Sequence, residues 1–301
     1  MKNFLGIDIG GTFIKFVSKK NNKIEKGKVY IRDIISYNRP DVIVEEIKNI
    51  VDKYRPDILG VAVAGLVDKK TGILTASPNI KPLQNYPLKD QLESVLKIPV
   101  HLENDASLAC YGEYLYGAGK GSKILVCLTL GTGLGGGAVL NGKLLTGISG
   151  SAMEIGHTTI DINGLPCHCG RKGCLESYVS SYGLERIYYL YTDEKISSTQ
   201  IITLANEGDP VAMRSMEKFS KYLAIGLMNA VHLFNPDRIV IAGGITENYP
   251  AVVDMAVSNL KDLTFPLPFR DLSVVKAELK EFSGAYGALG YAENEGEQPY
   301  I

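Results

Sequence analysis

The chain has 301 residues, 45% of them apolar, which is enough to bury a large core and to divide into two domains. With 32 basic against 33 acidic residues the formal charge is −1, so there is no electrostatic reason to expect nucleic acid or a membrane surface as partner, and small molecules are the expected ligands. The opening MKNFLGIDIGG is broken by Asp8 and two glycines before an export signal forms, and the longest apolar stretch, Ile58 to Val67, is about half of the ~20 residues a membrane helix needs; a soluble, cytoplasmic protein is expected.

Apolar runs of strand length alternate with helix-period segments, which predicts an α/β fold. Residues 3 to 9 read as a strand, Phe13 to Val17 as its antiparallel partner and Lys28 to Ile34 as a third. A helix over Asp41 to Lys53, a strand over Ile58 to Ala64, a helix over Leu88 to Leu96, a strand over Val100 to Glu103 and a helix over Ala106 to Tyr116 follow. After the flexible stretch Gly117 to Gly121 the opening pattern returns: a strand from Lys123 to Leu130, a glycine loop from Gly131 to Gly137, a strand over Ala138 to Leu140 and an Asn141-Gly142 hairpin turn. That return is a sign of two related halves. Helices are expected over Ser181 to Tyr191, Thr199 to Asn206 and Pro210 to Phe234, then a strand at Arg238 to Ala242 and a last helix near Ala285 to Asn294.

Four groups of residues carry chemistry. Asp8-Ile9-Gly10-Gly11-Thr12 ends a strand with a carboxylate, glycines and a hydroxyl, a set suited to phosphate oxygens and hydrated magnesium, although glycine turns between strands are common without ligands. Gly131-Thr132-Gly133-Leu134-Gly135-Gly136-Gly137 satisfies G-x-G-x-x-G, with Glu154 roughly where a ribose-binding acid would fall. A strand and hairpin follow instead of a helix, so this is no dinucleotide fold, but such a loop can hold phosphates. Asn104-Asp105 lies between a strand and a helix; the pair can cap that helix, or Asn104 can hold a substrate hydroxyl while Asp105 takes its proton. Cys167, Cys169 and Cys174, crowded among glycines in a chain with five cysteines, suggest a zinc site rather than disulfides, with reactive or unliganded thiols as the alternatives. Cys110 and Cys127 lie in apolar contexts and read as core. His157 is preferred to His168 as the fourth ligand, because a residue between two ligating cysteines would have to turn back on itself. Metal on one ring nitrogen of His157 would leave the other as a fixed donor, and Glu154 and Glu176 flank the same metal, although each glutamate alone reads as a surface charge.

Together with Gly65-Leu66-Val67-Asp68, Pro78-Asn79 and Ala242-Gly243-Gly244, these elements resemble, in order and across nearly the whole chain, the bacterial ROK family of glucokinases, other hexose and N-acylhexosamine kinases and sugar-responsive repressors. The resemblance implies an actin-like ATPase (ribonuclease H-like) fold of two α/β domains around a cleft, over 1–117 with a C-terminal helix of about 285–301 returning to it, and over 118–284. It implies ATP on Asp8, Gly10, Gly11, Thr12, Lys15, Gly131, Thr132, Gly133, Gly135, Gly243 and Gly244, with Mg2+, and Asp105 as general base. Gly65, Asn79, Asn104, Asp105, Glu154, His157 and Glu176 are the implied sugar contacts, and His157, Cys167, Cys169 and Cys174 the implied zinc ligands. The expected reaction is transfer of the ATP γ-phosphate to the 6-hydroxyl of a hexose, glucose before other hexoses or N-acylhexosamines. Ala64-Gly65 departs from the proline-glycine of many relatives and leaves the hexose open. A non-catalytic sugar sensor is the competing class; family repressors carry a helix-turn-helix before the sugar domain, whereas seven residues precede Asp8 here, so a kinase is expected. A homodimer or homotetramer is the expected assembly.

Overall fold

The computed structural model describes residues 2–33, 39–77 and 80–296; the expected strand end at Ile34, the Pro78-Asn79 motif and residues 297–301 lie outside the described residues. The chain forms two compact units, 1–120 with 137–153 and 281–301, and 121–136 with 154–280.

In the first unit, β1 (Phe4–Ile9) pairs antiparallel with β2 (Phe13–Lys20), which pairs with β3 (Lys23–Tyr30). The third strand starts five residues before the expected Lys28, because Asn21 and Asn22 both take left-handed φ (49° and 65°), the geometry of a two-residue hairpin turn. Helix α1 (Pro40–Tyr54) turns Ile43, Ile47 and Ile50 inwards along one stripe and stops where Arg55 goes left-handed. Strand β4 (Ile58–Val63) is buried at every residue, as expected of a strand parallel to both neighbours, β1 and β7 (Val100–Asn104). Between them come the short pair β5 (Leu66–Val67) and β6 (Leu74–Ala76) and helix α2 (Leu88–Leu96). Helix α3 (Asp105–Tyr116) follows β7 without a loop.

One face of this sheet carries an aliphatic core that includes Leu5, Ile7, Leu59 and Val61 with Ile43 and Ile47. The last helix, Ser283–Glu293, packs on β1, β4 and α3. Its approach is close enough that a Cβ on Gly60 would lie 1.9 Å from the Ala288 carbonyl oxygen, and one on Gly287 would lie 1.7 Å from that of Leu108.

Strand β8 (Ile124–Leu130) leads through a glycine turn into β9 (Leu134–Leu140) and the short β10 (Lys143–Leu144), while β11 (Arg238–Ala242) runs parallel to both β8 and β12 (Ser273–Lys276). Helices α4 (Ser181–Thr192), α5 (Ser198–Asn206) and α6 (Pro210–Phe234) pack together, and α7 (Gly244–Asn248), α8 (Ala251–Leu260) and α9 (Pro266–Arg270) follow. The two five-stranded sheets have the orders β3-β2-β1-β4-β7 and β10-β9-β8-β11-β12, one plan used twice, as the returning sequence pattern suggests.

Two further expectations change. Gly135 to Gly137 belong to β9 rather than to a loop, and Gly137 is small for packing: a Cβ there would lie 2.5 Å from that of Cys110. The expected continuous stretch 118–284 is also divided, because 137–153 packs with the first unit, where Gly150 meets Val67 and Lys69. Helix α8 was not anticipated; it begins after Pro250 with no side-chain cap to announce it. Among the described residues no helix is long and apolar enough to cross a membrane.

Gly60→Ala should therefore lower stability by about 1–3 kcal/mol, since the methyl group can be admitted only by moving helix backbone. Urea unfolding that matches the parent would show that the helix sits further from β4.

Candidate functional site

Asn104 ties the β7–α3 junction to its surroundings. Asn104 Oδ1 accepts from the Ser107 N–H at 3.0 Å and caps α3, while Nδ2 donates to the Gly65 carbonyl at 3.0 Å and to Asp105 Oδ1 at 3.2 Å. Of the two readings of Asn104 the structure shows the cap; an amide oxygen has a second lone pair beside the one given to Ser107. Gly65 accepts this bond from a φ of +136°, and a Cβ there would lie 2.0 Å from the Ala76 carbonyl oxygen, so only glycine fits. The hydrogen bonds described for the Asp105 carboxylate all fall on Oδ1, from Asn104 and from the Ala106 N–H at 2.9 Å. Burial raises its pKa, against which the Ala106 N–H pulls.

Asp8, near the end of β1, is pushed up to about 7, first by burial and next by the Asp105 charge; Lys15, its register partner on β2, acts against both. As whole residues, Asp8 and Asp105 are each half-buried. Gly10 donates to the Phe13 carbonyl, and Thr12 accepts from Ile31, so the 10–12 segment is a tight turn.

In the second unit, Gly131 to Gly133 form a compact turn, with the Gly131 N–H donating to the Gly133 carbonyl. Glu176 is tied to it: Oε2 accepts from the Leu134 N–H at 3.0 Å and Oε1 from the Tyr182 hydroxyl at 3.0 Å. A Cβ on Gly133 would lie 2.5 Å from Glu176 Oε2. Gly243 and Gly244 join β11 to α7, with Gly243 packed on the Leu130 carbonyl. Asn79 lies outside the described residues.

His157, Cys167, Cys169 and Cys174 bring one donor atom each within 4.8 Å of one another. Cys167 Sγ is 3.8 Å from His157 Nδ1, and the Cys169 and Cys174 sulfurs are 3.6 Å apart. The sulfur–sulfur separation is too long for a disulfide and is near the roughly 3.8 Å between the ends of two ~2.3 Å arms at the tetrahedral angle. Gly173, at φ +70°, allows the knuckle to close, since a Cβ there would lie 1.6 Å from the Asp161 carbonyl oxygen. His168 instead packs its ring on Tyr182, 4.2 Å between centroids. With Nδ1 of His157 turned to the sulfur atoms, Nε2 faces Glu154 Oε2 at 3.9 Å. The role of Tyr182 was missed; an aromatic residue on a helix gives no local sign of it.

The ROK family profile matches residues 4–295. The chain belongs to the ROK family. It is 33% identical to a glucokinase of Thermotoga maritima over 302 aligned residues, 94% of this chain and 95% of that one. The ROK hexokinase of Thermus thermophilus superposes with a TM-score of 0.87 at 28% identity, over 97% of this chain and 98% of that one. A ROK glucokinase of Streptomyces griseus, solved with glucose and AMPPNP, gives 0.83 at 32%, over 97% and 99%. The fold is therefore the actin-like ATPase fold of ROK sugar kinases.

The electrostatics of Asp8 in this ROK protein have a measurable sign. An unfolded Asp loses its proton near 3.8 and folded Asp8 near 7, so between those values the folded state binds the extra proton. Stability contributed by this group falls as pH rises across that window, by at most roughly 1.4 kcal/mol per pH unit, and is level above it. Without divalent cations, Asp8→Asn should gain thermal stability relative to the parent on going from pH 5 to pH 8. A difference in Tm that is the same at both pH values would mean that Asp8 is not held protonated.

Proposed function

We propose that this protein is an ATP-dependent sugar kinase that transfers the γ-phosphoryl group to the 6-hydroxyl of a hexose, glucose first, with another hexose or an N-acylhexosamine as the alternative. The observation that carries this reading is the Asp105 carboxylate, braced at Oδ1 at a strand end in a chain similar over nearly its full length to glucokinases. Its raised pKa suits a group that accepts a proton. A cytoplasmic location and a homodimer or homotetramer belong to the same reading.

Asp105 accepts the hydroxyl proton as the bond to phosphorus forms, and Asn104 keeps the carboxylate in place from its capped position. Glycine turns 10–12 and 131–133 offer backbone N–H groups to the phosphates, and the Gly243-Gly244 turn is assigned to the adenosine. Asp8, raised by burial and a second carboxylate, is short of a cation and would hold the magnesium ion that accompanies ATP, which supplies charge neutralisation at the phosphates. Glu154 and His157 are assigned to sugar hydroxyls as an acceptor and a donor. Glu176, a further sugar contact, also fixes the 131–134 turn through the Leu134 N–H.

His157, Cys167, Cys169 and Cys174 would hold zinc, which supplies a rigid cross-link and fixes the tautomer of His157. With Nδ1 so engaged, Nε2 carries the hydrogen and becomes a donor of fixed direction beside Glu154.

Asp105→Ala should lose ~10²–10⁴ in turnover while sugar binding, read by calorimetry, changes little. Turnover near the parent rate would remove Asp105 as base. Cys169→Ser should purify without stoichiometric zinc and bind sugar more weakly, because the Glu154 and His157 segment loses its brace. Parent protein free of zinc by elemental analysis would remove that part of the proposal.

A further inference from the structure

Strand β7, which delivers Asp105, also carries a charged residue to which the kinase reading gives no role. Glu103 is 1% exposed, and its Oε2 lies 3.0 Å from the ammonium of Lys69, which is 14% exposed. Its Oε1 accepts from the backbone N–H of Asn104 at 2.9 Å. Burial raises the Glu103 pKa, and the Lys69 charge opposes that.

Lys69 is itself placed by a tight turn after β5. Asp68 Oδ1 accepts from the Lys70 N–H, the Asp68 N–H donates to the Ile73 carbonyl, and the Gly72 N–H donates to the Asp68 carbonyl. The Lys69 stem runs under Gly150, where a Cβ would lie 2.8 Å from its Cγ, and the Lys69 N–H donates to the Ser149 carbonyl at 3.4 Å.

An ion pair this deep is weak evidence for stability, since two packed apolar side chains often serve a core as well. An apolar pair could not offer an anchored carboxylate to the Asn104 N–H. We propose that Lys69 and Glu103 are positioning residues for phosphoryl transfer: Lys69 anchors the Glu103 carboxylate, Glu103 fixes the Asn104 backbone, and Asn104 fixes Asp105 through its side chain. This inference rests on Asp105 being the base of the kinase reading. The chain of contacts runs from the 68–72 turn to the reacting carboxylate without a gap, and displacements of an ångström at such a group cost about a hundredfold in rate.

The test is the neutral double variant Lys69→Met/Glu103→Gln beside Lys69→Arg, which keeps the charge. On whichever hexose the parent accepts, the double variant should lose about tenfold or more in kcat, with the sugar Kd changed less than about threefold, and Lys69→Arg should stay within about threefold of the parent. A purely structural pair would lower Tm and leave kcat untouched well below that Tm; this outcome, or a Lys69→Arg loss as large as that of the double variant, overturns the inference. If the double variant does not fold, Glu103→Gln alone is read the same way. Parent turnover that depends on Asp105, with the pair variants unimpaired, defeats the positioning role alone; a parent with no turnover on any sugar defeats the kinase reading and this inference together.

Discussion

The amide of Asn104 ties three parts of the first unit to one point: the capped start of α3, the Gly65 turn, and the Asp105 carboxylate. Because β7 runs into α3 without a loop, the direction of Asp105 is set by strand and helix geometry rather than by a flexible connection. The demand propagates outward. Gly65 must take a φ open to glycine, β5 and β6 must bring Ala76 against it, and β4 must be narrow enough at Gly60 to let the last helix close over the sheet.

The second unit solves a different problem. Its Cys/His knuckle has too little apolar side chain of its own to form a core, and it gathers four donors, His157, Cys167, Cys169 and Cys174, within 4.8 Å of one another, a set that could hold a metal ion. Glu176 links the knuckle to the glycine turn, since one carboxylate accepts from Leu134 and from Tyr182. A fault in the knuckle would therefore reach the 131–133 turn, since Cys167 Sγ also lies 3.7 Å from Glu176 Oε1.

Much of this was legible in the sequence, for identifiable reasons. Helices α2 and α6 fall on their expected bounds because their apolar spacing is regular, and the Asn141-Gly142 turn announces its hairpin. Chain geometry favours His157 over His168 beside the cysteines, and the structure gathers His157 with Cys167, Cys169 and Cys174 while His168 packs on Tyr182. The start of β3 is hard to read because its sequence, KIEKGKVY, is charged and mostly exposed, which weakens alternation, although Asn21-Asn22 is a turn signal. Gly135 to Gly137 read as loop because glycine usually marks one; here Gly137 gives room to Cys110. The Lys69–Glu103 pair joins residues distant in sequence, and no local pattern announces such a contact.

The most direct test of the account is ADP formation with magnesium and ATP, measured over glucose, mannose, fructose, allose, N-acetylglucosamine and N-acetylmannosamine, with the product located by phosphorus NMR. The account requires turnover on at least one of these sugars and a product phosphorylated at the 6-oxygen. Sugar binding by calorimetry without turnover on any of them would contradict it and leave a sensor that keeps the fold without the chemistry.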